Sequence, residues 1–310
     1  MGSAAPSASL PARLWTYQSE RFPLGKTALL CAIFSSASVS VSAHLAERAP
    51  PSLWAYGAAF MVTLAFFFQL RVLDEIKDKE DDAKFRPERP IPRGLVRLET
   101  IIWLGVGSVF VALGVAAAVD TGLLALLGVA WGWLTLMSFE FFVRDWLKSH
   151  AFLYLVSHMA IMPLIDLVVT GFEWVRFGAP AGAMVFFLLL SFTNGCVLEI
   201  GRKLWAPVSE REGVNTYSKL LGPRTGAMMW LTCVAVSLGL LVAVGFATRT
   251  PLVTGAIGAL AALFVLRTAL SYRADPTPER ATKVEDAAGI WVFACYAAAG
   301  FAPFTRMLLA

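Results

Sequence analysis

Apolar runs of about twenty residues recur along this chain, and each is long enough to cross the roughly 30 Å hydrocarbon core of a bilayer as a helix. Nine candidate spans can be drawn, near residues 25–44, 52–73, 98–119, 121–141, 151–171, 180–199, 224–247, 251–271 and 285–305. Charged residues make up 15% of the chain, against about 25% in a soluble domain. The expected fold is therefore an all-α polytopic membrane protein, with residues 24–310 forming one transmembrane bundle. Residues 1–23, rich in Ala, Ser and Pro, lack the apolar core of a signal peptide. They are expected as a mobile tail with a short interfacial helix around Leu10–Tyr17, ahead of a retained first span.

The net charge of +4 would suit a nucleic-acid partner if it formed a patch, but the bases sort by loop instead. Of the 26 Lys and Arg, all but Arg48, Arg176, Arg249 and Arg306 fall in the N-terminal tail or near the loops after spans two, four, six and eight. The positive-inside rule then places the N-terminus and the charged loops in the cytoplasm, and nine spans send the C-terminus to the other side. Cys31, Cys196, Cys233 and Cys295 stand singly inside apolar runs, as small core residues do.

Two long polar segments interrupt the bundle. The first, Arg71–Arg97, holds seven carboxylates and eight bases. Steps of four place Asp74, Asp78 and Asp82 on one edge of a helix leaving the membrane, with Glu75 beside them. Such an edge suits a hard divalent cation, which takes one or two carboxylates and fills its remaining positions with water and phosphate oxygens. The tail of the segment, residues 86–94 (RPERPIPRG), is rigid and basic, and Pro87, Pro90 and Pro92 force the chain to turn. The second segment, residues 198–224, carries Glu199, Glu210 and Glu212 among Arg202, Lys203, Arg211, Lys219 and Arg224. Glu199 ends an apolar helix, where an unpaired carboxylate is costly. It stands four spans after Asp74, a faint echo of two four-helix halves. The loop after span four adds Glu140, Arg144 and Lys148, whose spacing puts them on one helical face.

Carboxylates interleaved with bases at one membrane face suit a metal–polyphosphate, and the apolar bundle beneath can hold a hydrocarbon chain. An isoprenyl diphosphate has both parts. Arg grips phosphate oxygens in a fork and Lys as a point charge, which makes Lys77, Arg89, Arg144, Lys148, Arg202 and Lys203 the candidate diphosphate ligands. Loss of diphosphate from an allylic chain leaves a carbocation that aromatic faces stabilise. Phe67, Phe68, Phe141 and Tyr154 are the candidates for that pocket.

The pattern Asp74-Glu75-x-x-Asp78-x-x-x-Asp82, followed by Arg89-Pro90-Ile91-Pro92-x-Gly94, resembles the first signature of the UbiA superfamily of intramembrane prenyltransferases. That signature usually reads NDxxDxxxD with a downstream RPxPxG. The resemblance implies a nine-helix fold with a central cavity open to the cytoplasmic side, two Mg²⁺ ions held by the loops after spans two and six, and prenyl transfer to an aromatic or other lipophilic acceptor. It implies catalytic roles for Asp74, Asp78 and Asp82, with Glu75, Glu199, Glu210 and Glu212 as further metal ligands. The chain departs from the pattern at Asp74-Glu75, where Asn-Asp is usual, and at Glu199, Glu210 and Glu212, where aspartates in a DxxxD spacing are usual. Some superfamily members resemble terpene cyclases, in which the cation is captured within its own chain, so cyclisation is the alternative chemistry. A secondary transporter fits less well, since transporters gather ionisable residues near the midplane.

Span five carries Ser157, His158 and Asp166. His158 is a candidate general base or an interhelical hydrogen-bonding residue, and Asp166, far from the charged mouth, is expected to be a structural pairing residue. Pro163 is expected to kink its helix, and residues 272–286 to form a capping loop.

Overall fold

The computed structural model describes residues 8–305, and every regular element among them is helical. In chain order the helices are α1 (Leu10–Arg21), α2 (Leu24–Leu45), α3 (Leu53–Lys77), α4 (Lys79–Phe85), α5 (Leu98–Val119), α6 (Leu123–Ser138) and α7 (Arg144–Ser149). They continue as α8 (Ala151–Met159), α9 (Ile161–Trp174), α10 (Met184–Gly201), α11 (Tyr217–Leu221), α12 (Pro223–Ala247), α13 (Pro251–Ala274) and α14 (Pro278–Phe301). Among the described residues eight stretches are long and apolar enough to span a bilayer, counting Ala151–Phe177 as one. The remaining expected span is α6, whose 16 residues extend about 24 Å at 1.5 Å per residue. It is short because the chain breaks helix at Phe139, so the expected span 121–141 loses its last turn.

The helix starts follow from local sequence. Ser52 caps α3 by accepting from the Ala55 amide, and Pro223, Pro251 and Pro278 occupy first-turn positions where an amide is not needed. Pro163 has no amide and crowds the carbonyl of Met159, which is where α8 gives way to α9. The capping loop expected over 272–286 is a correction: α13 runs to Ala274, and Thr277 caps α14 from the other side, leaving Asp275–Thr277 between them.

The interior is apolar and close-packed around Phe66, Phe187, Trp230 and Trp291. Large apolar side chains such as Trp103, Phe110, Phe246 and Leu260 point outward instead, as the surface of a chain dissolved in lipid requires. Several buried polar groups are bonded across helices. Asp166 accepts from Ser38 on α2 and Tyr296 on α14, each at 2.6 Å, which is the structural pairing expected of it. Asn194 on α10 accepts from Ser237 on α12 at 2.8 Å and from Trp291 on α14 at 3.1 Å. Glu173 accepts from Arg48 and Ser42 at the end of the bundle remote from the two polar segments.

The short helix expected around Leu10–Tyr17 runs on to Arg21 and packs onto the bundle, while residues 1–7 lie outside the described residues. Leu10, Leu14, Tyr17 and Arg21 recur on one face of α1. Tyr17 is buried with Val72, Val96 and Ile101, and Trp15 on the opposite side is exposed. This helix lies across the charged end of α3, and that position shapes the site.

Candidate active site

Asp74, Asp78 and Asp82 follow one another at four-residue steps, with Asp78 at the junction of α3 and α4 (φ −90°, ψ 6°) and backbone bonds running from the Asp78 amide to Asp74 at 2.9 Å and from the Asp82 amide to Asp78 at 2.7 Å, yet their side chains meet different surroundings. Asp82 turns inward and is 3% exposed. Its oxygens accept from Arg89 at 2.6 and 2.8 Å and from Arg86 at 3.0 Å, and Arg21 of α1 stands 4.0 Å away. Glu75 is likewise buried, accepting from Arg21 at 2.7 Å and from Tyr17 at 3.4 Å. Glu75 and Asp82 are therefore each paired with arginine, and Arg89 bonds Asp82. Tyr17 and Arg21 escaped the sequence reading. Their signal was the i, i+4, i+7, i+11 recurrence along α1.

Asp74 and Asp78 differ. Asp74 is half exposed, with Arg71 3.6 Å away. Among the described residues, Asp78 has no side-chain hydrogen bond or ion pair. Burial, then the nearby Asp74 carboxylate, push its carboxyl above the usual aspartate range, with a smaller contribution from Asp82 and opposition from Lys77 and Arg86. Two adjacent carboxylates short of positive partners make a hard, oxygen-only, locally negative donor set. Among the described residues no three His, Cys, Asp or Glu side chains converge on one point. A pair suffices for Mg²⁺, which keeps several waters and takes the rest from substrate phosphates. Asp74 and Asp78 fit that role.

The second polar segment faces the first. Phe85 at the end of α4 packs against Gly213, where a Cβ would lie 2.5 Å from the ring. Arg211 and Glu88 approach to 3.9 Å on the surface of the same contact. Glu199 is 7% exposed, with Lys203 at 2.9 Å and Arg202 at bonding distance. Glu199 first, and also Asp74 from the opposite segment, hold the Arg202 guanidinium charged beyond its ordinary range. Glu210 accepts from Thr216 and Ser218 at 2.7 Å, and Ser218 also bonds the Trp205 amide, so Glu210 ties its own loop. Glu212 is exposed, as is Asn215.

Gly213 has φ +73°, a conformation in which a side chain is strained, in addition to its contact with Phe85. Gly213→Ala is expected to destabilise the protein by about 1–2 kcal/mol and to lower turnover by moving Phe85 and the first segment off the second. Thermal unfolding and initial rates in detergent check this; a variant unchanged in both shows that the contact does not hold the segments together.

Glu140, Arg144 and Lys148 were expected on one helical face, and the structure corrects this. Glu140, Phe141 and Phe142 all have positive φ, between 50° and 61°, so the helix is interrupted. Glu140 turns inward, while Arg144 and Lys148 are exposed and make no ion pair among the described residues. Lys77, expected on diphosphate, lies 3.3 Å from Glu140 and 2.7 Å from the Tyr154 hydroxyl. Of the aromatic candidates, Phe141 and Tyr154 flank His158, the latter stacked on it at 3.8 Å. Phe67 packs edge-on against Phe34, which in turn meets Tyr296. Phe68 turns the other way, onto Phe22 beside α1, because consecutive helix residues lie about 100° apart, and so does not share a face with Phe67.

A profile of the UbiA prenyltransferase family matches residues 34–293. The chain belongs to the UbiA prenyltransferase family. Solved relatives share the fold. A UbiA homologue from Aeropyrum pernix K1 in its apo state superposes with a TM-score of 0.68 at 15% identity, over 89% of this chain and 98% of the homologue. A digeranylgeranylglyceryl phosphate synthase in membranes superposes with a TM-score of 0.57 at 17% identity, over 93% of this chain and 99% of the other. No functionally curated protein matches. Membership of this UbiA family makes the chain an integral membrane protein of the prenyltransferase class.

Proposed function

We propose that this UbiA-family chain is a Mg²⁺-dependent intramembrane enzyme that ionises an isoprenyl diphosphate and transfers the prenyl chain to a lipophilic acceptor, releasing diphosphate. One observation carries the reading. The under-neutralised pair Asp74 and Asp78 stands across from Arg202, whose charge Asp74 stabilises, with the two polar segments joined at Phe85 and Gly213. Negative and positive groups facing each other at one end of an apolar bundle suit a metal-bound diphosphate with its tail in the bundle.

Asp74 and Asp78 would hold Mg²⁺, which neutralises the charge growing on the leaving diphosphate. Arg202 and Lys203 would cover the same oxygens, and Glu199, which bonds both, would fix their direction. Asp82 and Glu75 anchor the first segment through Arg21, Arg86 and Arg89. Phe141 and Tyr154 offer ring faces to the allylic cation. By the charge asymmetry of the loops this end lies in the cytoplasm.

Purified protein given labelled prenyl diphosphates of several lengths with Mg²⁺ and membrane lipid tests the reading by mass spectrometry. A product heavier by one prenyl unit than an acceptor supports transfer. A product with the mass of the chain less diphosphate and a proton points to cyclisation, and no turnover of any donor overturns both.

A further inference from the structure

Behind the acidic mouth lies an acid–histidine contact that diphosphate binding leaves unused. Glu140 Oε1 stands 3.3 Å from Lys77 Nζ and accepts from the Tyr154 hydroxyl at 3.4 Å. Its Oε2 is buried and has no hydrogen-bond partner. His158 Nε2, 3.6 Å from that oxygen, is also buried and also without one. The other ring nitrogen, Nδ1, is 2.9 Å from the Tyr154 carbonyl oxygen. A carbonyl only accepts, so Nδ1 carries the hydrogen and Nε2 of the neutral ring presents a bare lone pair. Two lone pairs thus face each other across a gap with no proton between them. Buried atoms left in that state are uncommon and ask for an explanation.

The backbone is arranged to produce this contact. Three successive residues, Glu140, Phe141 and Phe142, hold left-handed conformations with φ of 50°, 53° and 61°. A side chain strains such a conformation, and strain of this sort gathers where function over-determines the geometry. A relaxed continuation of α6 would carry the Glu140 carboxylate elsewhere. The groups facing the pair are Lys77 from α3, Tyr154 from α8 and, more distantly, Glu199 from α10, and Asp74 acts on Lys77 in turn. The pair therefore sits between the two polar segments, next to where a prenyl cation would form.

We propose that Glu140 and His158 act together as the base that takes the proton of the acceptor, and that the acceptor is a hydroxyl-bearing lipophilic compound. The inference rests on the prenyl-transfer reading above. In the step, an electron pair of the acceptor oxygen forms the new bond to the first carbon of the prenyl chain. The bond from that carbon to the diphosphate oxygen breaks, and its electron pair leaves with diphosphate. The acceptor O–H bond gives its electrons to oxygen and its proton to His158 Nε2, and Glu140 stabilises the resulting imidazolium. The products are the prenyl ether, diphosphate and a protonated pair that returns its proton to water. A ring-carbon acceptor has less need of this base, since the arenium ion it forms sheds a proton to weak bases.

The test uses full-length wild type, Glu140→Gln and His158→Gln in nanodiscs with labelled geranylgeranyl diphosphate and Mg²⁺. The acceptor probes are a long-chain alcohol and a long-chain phenol. Two rates are read: prenyl transfer to the probes, and diphosphate release with water as the only acceptor. Both variants are expected to lose about a hundredfold in transfer kcat, to keep the KM for the donor within about twofold, and to keep release to water. The acid limb of the wild-type pH profile for transfer is expected to vanish in His158→Gln. Full transfer by folded variants, parallel loss of transfer and release, or transfer by the wild type to neither probe while it releases diphosphate overturns the proposal. A wild type that neither transfers nor releases overturns the prenyl-transfer reading itself. If Glu140→Gln fails to fold, His158→Gln decides alone, since that imidazole has no charged partner closer than 3.6 Å.

Discussion

Asp78→Asn is expected to abolish turnover, by a hundredfold or about 2.7 kcal/mol at the least, while the metal-free protein stays as stable as before or gains stability. The two effects have one cause. Asp78 is partly desolvated beside Asp74, and Lys77 and Arg86 offset this only in part, so its ionised form is disfavoured in the fold. Its folded pKa lies above the unfolded value, so this group contributes stability below the unfolded pKa, and that contribution is lost as pH rises through the folded one. At neutral pH the ionised carboxylate is a cost, and asparagine removes it. The variant's advantage in unfolding temperature should therefore be present near pH 7 and shrink as pH falls through the carboxylate range. A site strained in this way is one that a cation relieves. Unfolding curves with and without Mg²⁺, set beside initial rates, check both parts; a well-folded variant with wild-type turnover removes Asp78 from the site.

Asp82→Ala should do the reverse of this in stability, although the two aspartates are four residues apart in one motif. Asp82 is enclosed, and Arg86 and Arg89 bond it directly while Arg21 stands close. Removing the carboxylate leaves these guanidiniums crowded without their counter-charge, and loss of one partner from a buried pair costs about 3–5 kcal/mol. The arginines are partly exposed here, so water recovers some of that, and about 3 kcal/mol is expected. Helix α1 should loosen with it, since Arg21 helps to tie α1 to the first segment. Proteolysis near residues 10–21 and the unfolding temperature both report this. An Asp82→Ala protein that is inactive yet as stable as wild type would place Asp82 with the metal ligands and not with the anchors.

The contrast shows what spacing could and could not convey. Apolar runs of about twenty residues announced the bundle because the bilayer fixes helix length, and the break near Pro163 followed from its missing amide. The i, i+4 steps announced Asp74, Asp78 and Asp82 as a group. They could not reveal that Arg86 and Arg89 close on Asp82 while Asp74 stays half exposed. The same limit applies to Glu140. Its spacing to Arg144 and Lys148 suggested a shared face, but three left-handed residues, none of them glycine, interrupt the helix. Only a tertiary environment holds such a conformation, and no local pattern encodes it. The docking of α1 was hidden for a related reason: Tyr17 and Arg21 look like a polar tail until Glu75 and Val72 are brought beside them.

The claim on which the rest depends is that Asp74 and Asp78 bind prenyl diphosphate through a divalent cation. Binding of a non-hydrolysable thiolo analogue of geranylgeranyl diphosphate, titrated by calorimetry into the purified protein with Mg²⁺ or with chelator, tests it most directly. Tight binding with Mg²⁺, weakened at least tenfold by chelator and by Asp78→Asn alike, is the expected result. Binding of equal strength in chelator, or in folded Asp78→Asn with Mg²⁺ present, would contradict it.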